Sequence, residues 1–226
     1  MKKLLIGASV LLLSTGAFAQ TKMTGETARF GLKAGVNLSS YSGSGNYDGY
    51  GDKTNTGFHV TAFGDFGVGN NFFIQPGVSL QNKGAKISDW KYNNTTYSST
   101  QNVMAIEVPI NAVFRIPTGD AGAVQINAGP YVGFNISGKN KNVINNGNTN
   151  VASSEGDLSF GNDSGKDLKS IDFGANVGLA YRTSSGFLIG GNYGIGLSNI
   201  LPDARKFASG DKLQNRVLSF SVGYSF

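Results

Sequence analysis

Few side chains in this sequence have the types and spacing needed for chemistry. The only histidine, His59, stands two residues before Thr61, so both would lie on one face of a β-strand. A histidine beside a hydroxyl can act as base and nucleophile in ester hydrolysis, which makes a lipid-modifying enzyme one hypothesis. Threonine replaces the more usual serine, and the strand phase turns both groups away from lipid. We therefore expect no catalytic residue and no enzyme.

An acidic stretch, "SSEGDLSFGNDSGKD", is the other candidate site, with carboxylates at Glu155, Asp157, Asp163 and Asp167. Such oxygens can hold a divalent cation, but the spacing matches no calcium-binding loop. We predict a solvated loop there. One histidine and no cysteine exclude multi-histidine and thiolate metal sites. The chain has no GxGxxG, P-loop, HExxH or GxSxG motif, so we expect no cofactor and no metal.

Seven charged residues stand in strand phase opposite an apolar face, which predicts that they point into an interior. They are Lys33, Asp65, Lys83, Glu107, Arg115, Asp172 and Arg182. Buried charges need partners, and Lys33 and Asp65, on sequential strands at similar depth, are the predicted pair. The pattern favours a polar network that fills the interior. An ion path or a binding site is the alternative.

These side chains would be positioned by eight segments in which apolar residues alternate with polar ones, the pattern of half-buried strands. The segments are 29–39, 57–68, 72–84, 103–116, 123–137, 170–182, 187–197 and 217–226. Three of the joins are short, and four, rich in Asn, Ser, Gly and Asp, are long. The long joins are about 40–56, 85–102, 138–169 and 199–214.

Short turns on one side and long loops on the other are typical of an outer-membrane barrel. We predict an all-β fold, an eight-stranded antiparallel up-and-down transmembrane β-barrel over 29–226. Charged residues are only 15% of the chain, against ~25% in soluble proteins. The apolar faces carry no charge, which favours lipid outside and polar groups inside. A soluble lipocalin-like binder, with these faces reversed, is the alternative.

Aromatic side chains collect at the short-turn ends of the apolar faces, on seven of the eight segments. A ring of aromatics at one height is the girdle expected at a membrane–water interface. The predicted girdle is Phe30, Phe66, Phe72, Phe114, Tyr181, Phe187, Tyr224 and Phe226.

The first 19 residues are predicted to be a cleaved signal peptide. Lys2 and Lys3 precede an apolar run over 4–13, and Ala17–Ala19 provides an A-x-A cleavage site. A short lead, 20–28, follows. Loss of the two lysines lowers the formal net charge from +5 to +3, which argues against a nucleic-acid partner. We expect export to the cell outer membrane and contact with its lipid.

The last strand ends on an aromatic residue in strand phase. Phe220, Val222, Tyr224 and Phe226 are predicted to form the signal by which barrel-assembly machinery recognises the chain. Prolines interrupt three other strands, at positions 76, 109 and 130. Because proline cannot donate to a sheet ladder, we expect bulges or broken hydrogen bonds there. A bulge at position 109 would reverse the faces of 103–108.

Six blocks in order carry a family resemblance: "GLKAGVN", "FIQPGVSLQNKGA", "IEVPINAVFRI", "AGPYVGFNIS", "DFGANVGLAYR" and "YGIGLSNI". The chain resembles the PorT-type outer-membrane β-barrel proteins, related in architecture to OmpA and OmpX. The resemblance implies the fold and little about function. We expect a monomer with a structural or interaction role in the cell envelope, whose long loops could contact a protein partner. An accessory role in protein secretion, as in one relative, is the alternative.

Overall fold

The computed structural model describes residues 28–147 and 149–226. The predicted signal peptide, 1–19, and nearly all of the lead, 20–28, lie outside the described residues. The strands are β1 (Arg29–Ser44), β2 (Asn55–Gly69), β3 (Phe72–Tyr92), β4 (Thr95–Pro117), β5 (Gly122–Asn146), β6 (Thr149–Asp157), β7 (Ile171–Thr183), β8 (Phe187–Gly196) and β9 (Lys212–Ser225). No helical stretch in these ranges has the length and apolar character of a membrane-spanning helix.

Eight of the nine strands close into a ring in which each pairs antiparallel with its neighbours. The ring runs from β1 to β5 in chain order and continues through β7, β8 and β9 back to β1. At the seam Val36 faces Phe220, and the Phe226 backbone N–H donates to the Phe30 carbonyl at 2.8 Å. The predicted eight-stranded antiparallel barrel is confirmed, and β6 is an addition outside the ring.

Side chains alternate across the wall as the sequence pattern predicts, with apolar groups outside. Leu32 is 51% exposed and Val222 63% exposed, while Asn37 and Asp172 are fully buried inside. A soluble barrel would show the reverse, because water would cover its outer face. The lipocalin-like alternative is therefore wrong, and the outer face is that of a barrel solvated by lipid.

The strands on one side run well beyond their predicted ends. Parts of the predicted loops 85–102 and 138–169 are strand, because β3, β4 and β5 extend outward and β6 pairs with the outer part of β5. A two-residue turn, Asn93 and Asn94, closes the hairpin of β3 and β4. Asn93, at φ 53°, adopts a conformation that asparagine tolerates better than most residues. We call this four-stranded extension of β3, β4, β5 and β6 the outer sheet.

The strand prolines break hydrogen bonds without shifting the register. At Pro76, Pro109 and Pro130 the pairing with the preceding strand is interrupted, and it resumes in the same register on both sides. The prediction of broken ladder bonds is confirmed, and no bulge occurs at these positions. Ile106 accordingly points outward at 38% exposure and Glu107 inward at 7%, so the predicted faces of 103–108 hold.

Candidate functional site

Three strands bring a lysine and two carboxylates together in the outer half of the lumen. Lys83 Nζ of β3 lies 2.6 Å from Glu107 Oε1 of β4 and 3.0 Å from Asp172 Oδ2 of β7. All three residues are at most 7% exposed. Two carboxylates around one ammonium compensate its charge and leave a net negative charge, so further donors are required. We call this group the ion triad.

Those further donors converge on Asp172. Ser198 Oγ donates to Asp172 Oδ1 at 2.6 Å, while Asn215 Nδ2 and the Tyr131 hydroxyl donate to Oδ2 at 2.7 and 3.2 Å. The Tyr131 ring centre also lies 5.6 Å from Lys83 Nζ, a cation–π distance. Ser198 and Asn215 were not among the residues that the sequence pattern indicated. With every oxygen of Asp172 occupied, the triad fits a structural plug better than a reactive centre.

A second ion pair lies near the short-turn end, where Arg115 of β4 donates to the Asp65 carboxylate of β2. The Arg115 guanidinium stacks on Phe73, 3.6 Å from the ring centre. The predicted Lys33–Asp65 pair is wrong. Lys33 faces Thr61 across the ladder, four residues from Asp65, which is about 13 Å along a strand. The sequence pattern does not contain the stagger between neighbouring strands. The depths of Lys33 and Asp65 in the barrel were therefore predicted wrongly.

Lys33 instead lies between two small interior cavities. One, of about 50 Å³, is lined by Lys33, His59 and Glu107, and the other, of about 30 Å³, by Lys33 and Gln125. Within the described ranges Lys33 makes no ion pair, and its ammonium lies 5.9 Å from the Phe63 ring centre. These volumes hold a few water molecules at most. Arg182 lies toward the short-turn end of β7.

The candidate hydrolytic pair does not form. His59 Nδ1 lies 2.8 Å from Asn37 Oδ1, and Thr61 Oγ1 lies 2.6 Å from Ser79 Oγ. Both His59 and Thr61 are under 5% exposed and face the lumen. Because the histidine is engaged elsewhere and neither group reaches lipid, the geometry does not support ester hydrolysis.

The predicted girdle residues lie at the short-turn end, and several of their rings touch. Ring centres are 4.8 Å apart for Phe72 and Phe114 and 5.1 Å apart for Phe187 and Tyr224. Tyr224 also contacts Phe226 at 5.3 Å. Phe30 and Phe66 form a more distant edge contact, with ring centres 6.2 Å apart. The hydroxyl groups of Tyr181 and Thr118 are hydrogen-bonded at 3.2 Å. These contacts support the girdle as a proposal about the membrane interface.

Above the ion triad an apolar cluster, which we call the cap, closes the long-loop end. Its buried members are Tyr41, Ala85, Val103, Leu158, Leu168, Ile200, Leu201 and Leu213. Leu158 and Leu168 show that the acidic stretch is only partly solvated, because its apolar residues turn inward. No described group of three or more His, Cys, Asp or Glu side chains is arranged to hold a metal ion.

One carboxylate ties two loops of the cap together. Asp211, 1% exposed, accepts hydrogen bonds from the backbone N–H groups of Asn46, Phe207 and Ala208 at 2.8–3.0 Å. These backbone donors, Asn46 foremost, lower the pKa of the Asp211 carboxyl below its usual value. The carboxylate therefore stabilises the cap only while it is ionised.

Solved structures similar to this chain include Ail, the attachment invasion locus protein of Yersinia pestis, at 14% identity and TM-score 0.44, covering 88% of this chain and 99% of that one. Neisserial surface protein A is similar at 14% identity and TM-score 0.44, and the match covers 89% of this chain and 100% of that one. A major outer membrane protein from Thermus thermophilus is similar at 13% identity and TM-score 0.43, and the match covers 89% of this chain and 100% of that one. Comparison with curated proteins gave no match.

The family model described as "Outer membrane protein beta-barrel domain" matches residues 18–201, well over half of the chain. The narrower PorT type finds no support in these comparisons. The family match agrees with the closed ring, the apolar outer face and the polar lumen. This chain therefore belongs to the outer membrane protein beta-barrel domain family and is a protein of the outer membrane.

Proposed function

We propose that this protein is a non-conducting anchor that presents the outer sheet and cap to a partner outside the cell, a structural and interaction role in the envelope. The observation that carries the proposal is the filled interior. The ion triad spans the lumen from β3 to β7, and the cap covers it on the outer side. An eight-stranded barrel is just wide enough for its own side chains, which agrees with a plug and not a pore.

The outer sheet supports the interaction part of the proposal. All nine residues of β6 are exposed, and among the described strands β6 pairs only with β5. Val151 stands there at 57% exposure. A free strand edge beyond the membrane can pair with an extended segment of a protein partner. The closed ring leaves no free edge within the membrane, which favours a monomer.

A conductance measurement tests the anchor. The purified protein, inserted into planar lipid bilayers, should give no single-channel openings, with an open porin as positive control. Regular openings in the wild-type protein would overturn the proposal. The conductance of the wild-type protein is compared with that of the Lys83→Met, Glu107→Leu double variant, because this variant removes two ions of the triad but keeps the cap.

Site-specific crosslinking in intact cells tests the interaction. A photo-crosslinker at Val151 should capture an outer partner, while one at Ser184, in a short turn, should not. Absence of any product at Val151 would contradict the interaction role. Products at Ser184 alone, together with lost export in a deletion strain, would favour the secretion-accessory alternative.

A further inference from the structure

A polar cleft opens beside the cap, against the inward face of the outer sheet. Its volume is about 350 Å³, within the ~300–1,000 Å³ range of small-molecule sites. The floor comes from three strands: Gln101 of β4, Asn140 and Asn142 of β5, and Ser154 of β6. The ladder pairs Gln101 with Asn140 and Asn142 with Ser154, which places the four side chains on one face.

Loop residues form the opposite wall of the cleft. Tyr50 comes from the first loop, Asp167 from the third and Arg205 from the fourth. Arg205 Nη1 donates to the Asp167 backbone carbonyl at 3.2 Å and lies 3.4 Å from Oδ1, so these two charges compensate each other. At the rim Glu155 is 3.2 Å from Lys139 Nζ. The wall thus offers an aromatic ring and little uncompensated charge.

One atom of the floor is buried and unpartnered. Gln101 is only 5% exposed and lines the cleft together with Tyr50. Its carbonyl oxygen, Oε1, has no hydrogen-bond partner among the described residues. A buried acceptor without a donor is unfavourable, so a ligand that donates here gains affinity. The ligand must therefore bring hydrogen-bond donors into the cleft.

We propose that this cleft binds a neutral oligosaccharide. Sugar hydroxyls both donate and accept, as do the amides and hydroxyl of the floor, and one sugar hydroxyl would donate to Gln101 Oε1. The Tyr50 ring provides an apolar face for the C–H side of a sugar. The polar floor disfavours an apolar ligand, and the carboxylate of Asp157, which has no cationic partner among the described residues, disfavours a sulfated or phosphorylated chain. The inference deepens the proposed function, since it rests on the outer sheet facing outside the cell.

Titration calorimetry on the full chain in lipid nanodiscs tests this site. The probes are maltotriose, chitotriose and N-acetyllactosamine as neutral saccharides, and a heparin hexasaccharide as the sulfated one. At least one neutral probe should bind, and more tightly than the heparin hexasaccharide. Gln101→Leu removes the unpartnered oxygen, and Asn142→Ala removes an exposed amide of the floor. Each should weaken binding at least tenfold.

Lys141→Ala is the matched control. Lys141 lies between the two floor asparagines, is exposed, and points to the other face of the sheet, so its removal should leave affinity unchanged. Because Asn142 is also exposed, its variant tests the site even if Gln101→Leu fails to fold. Failure of every neutral probe, tighter binding of the heparin hexasaccharide, or full affinity in Asn142→Ala would overturn the proposal. None of these outcomes alters the conductance result, so the anchor stands or falls separately.

Discussion

The inward face of the barrel changes character over two residues along a strand. On β3 the inward residue is Lys83 in the ion triad and then Ala85 in the cap. On β9, which runs the other way, Leu213 of the cap precedes Asn215, which bonds to Asp172. The same wall therefore encloses a polar interior at one level and an apolar interior at the next.

The medium outside the wall explains the difference. Beside the lumen the outer face is apolar, as at Leu32 and Phe220, both about half exposed. Lipid solvates such groups as well as a core would, so burying them inside gains nothing. Around the cap, Ser42 and Lys212 are exposed and water is the solvent. There the hydrophobic effect favours apolar groups inside, as in any soluble protein.

The ion triad should give the largest effect, because the lumen offers its charges a few water molecules at most. Lys83→Met leaves two buried carboxylates uncompensated, which costs about 3–5 kcal/mol of unfolding free energy. Urea unfolding of the protein in lipid vesicles measures the loss.

A charge-free triad is the control for this variant. Adding Glu107→Leu and Asp172→Asn to Lys83→Met removes all three charges and keeps the Asp172 position polar for its three donors. Stability should recover most of the loss. An unchanged unfolding midpoint in Lys83→Met alone would contradict a stabilising role for the lysine.

The cap should respond as a small soluble core. Leu213, 1% exposed, packs there, and Leu213→Ala should cost roughly 2 kcal/mol, near the lower end for a buried leucine. The loss should be local: hydrogen exchange should rise in 158–169 and 199–211 but not in the strands of the lumen. Leu218→Ala, lipid-facing on the same strand, is the matched control and should change little. Equal hydrogen exchange in Leu213→Ala and Leu218→Ala would contradict the proposed difference between the cap and the lumen.

Acid should open the cap before the lumen. The pKa of the Asp211 carboxyl is lowered in the folded protein, so its stabilisation is complete above the unfolded pKa of about 3.9. It is lost as the pH falls through the lower folded pKa. Below about pH 4 protease cleavage in 203–211 should increase while the folded barrel persists on a gel. Asp211→Asn should show the faster cleavage already at pH 7, and a flat pH profile in the wild type would contradict this role.

Periodicity made the barrel predictable, since alternation is local: each apolar residue such as Val36 or Val222 reports the face on which it lies. The same phase led to the prediction of seven charged residues on the inner face. Their partners could not be predicted in this way, because pairing depends on the stagger between strands. Lys33 and Asp65 appear level in sequence, and the ladder separates them by four residues.

The cap was not predictable by the same means. Its residues come from strand ends and loops, with Leu158, Leu168 and Ile200 scattered among polar residues that read as solvated. The outer sheet was missed because "TTYSSTQN" is polar on both faces, as a strand in water can be. A weak signal was present: threonine and tyrosine favour strands even where no apolar alternation shows.

The smallest effect on stability should come from an apolar group on the lipid side, and Phe226 tests it against Leu213. Phe226 is 71% exposed, and its deletion removes one ring contact and the backbone hydrogen bond to Phe30. The cost in unfolding free energy should be about 1 kcal/mol or less, because lipid replaces the lost contact.

If the last strand is the assembly signal, the deletion of Phe226 should still lower the amount of folded protein in the outer membrane severalfold. Heat-modifiable gel migration measures that amount, with Phe187→Ala, equally lipid-facing but internal, as the control. Normal outer-membrane levels of the truncated chain would refute the assembly role. A stability loss as large as that of Leu213→Ala would show that lipid does not replace the contacts that a protein core provides.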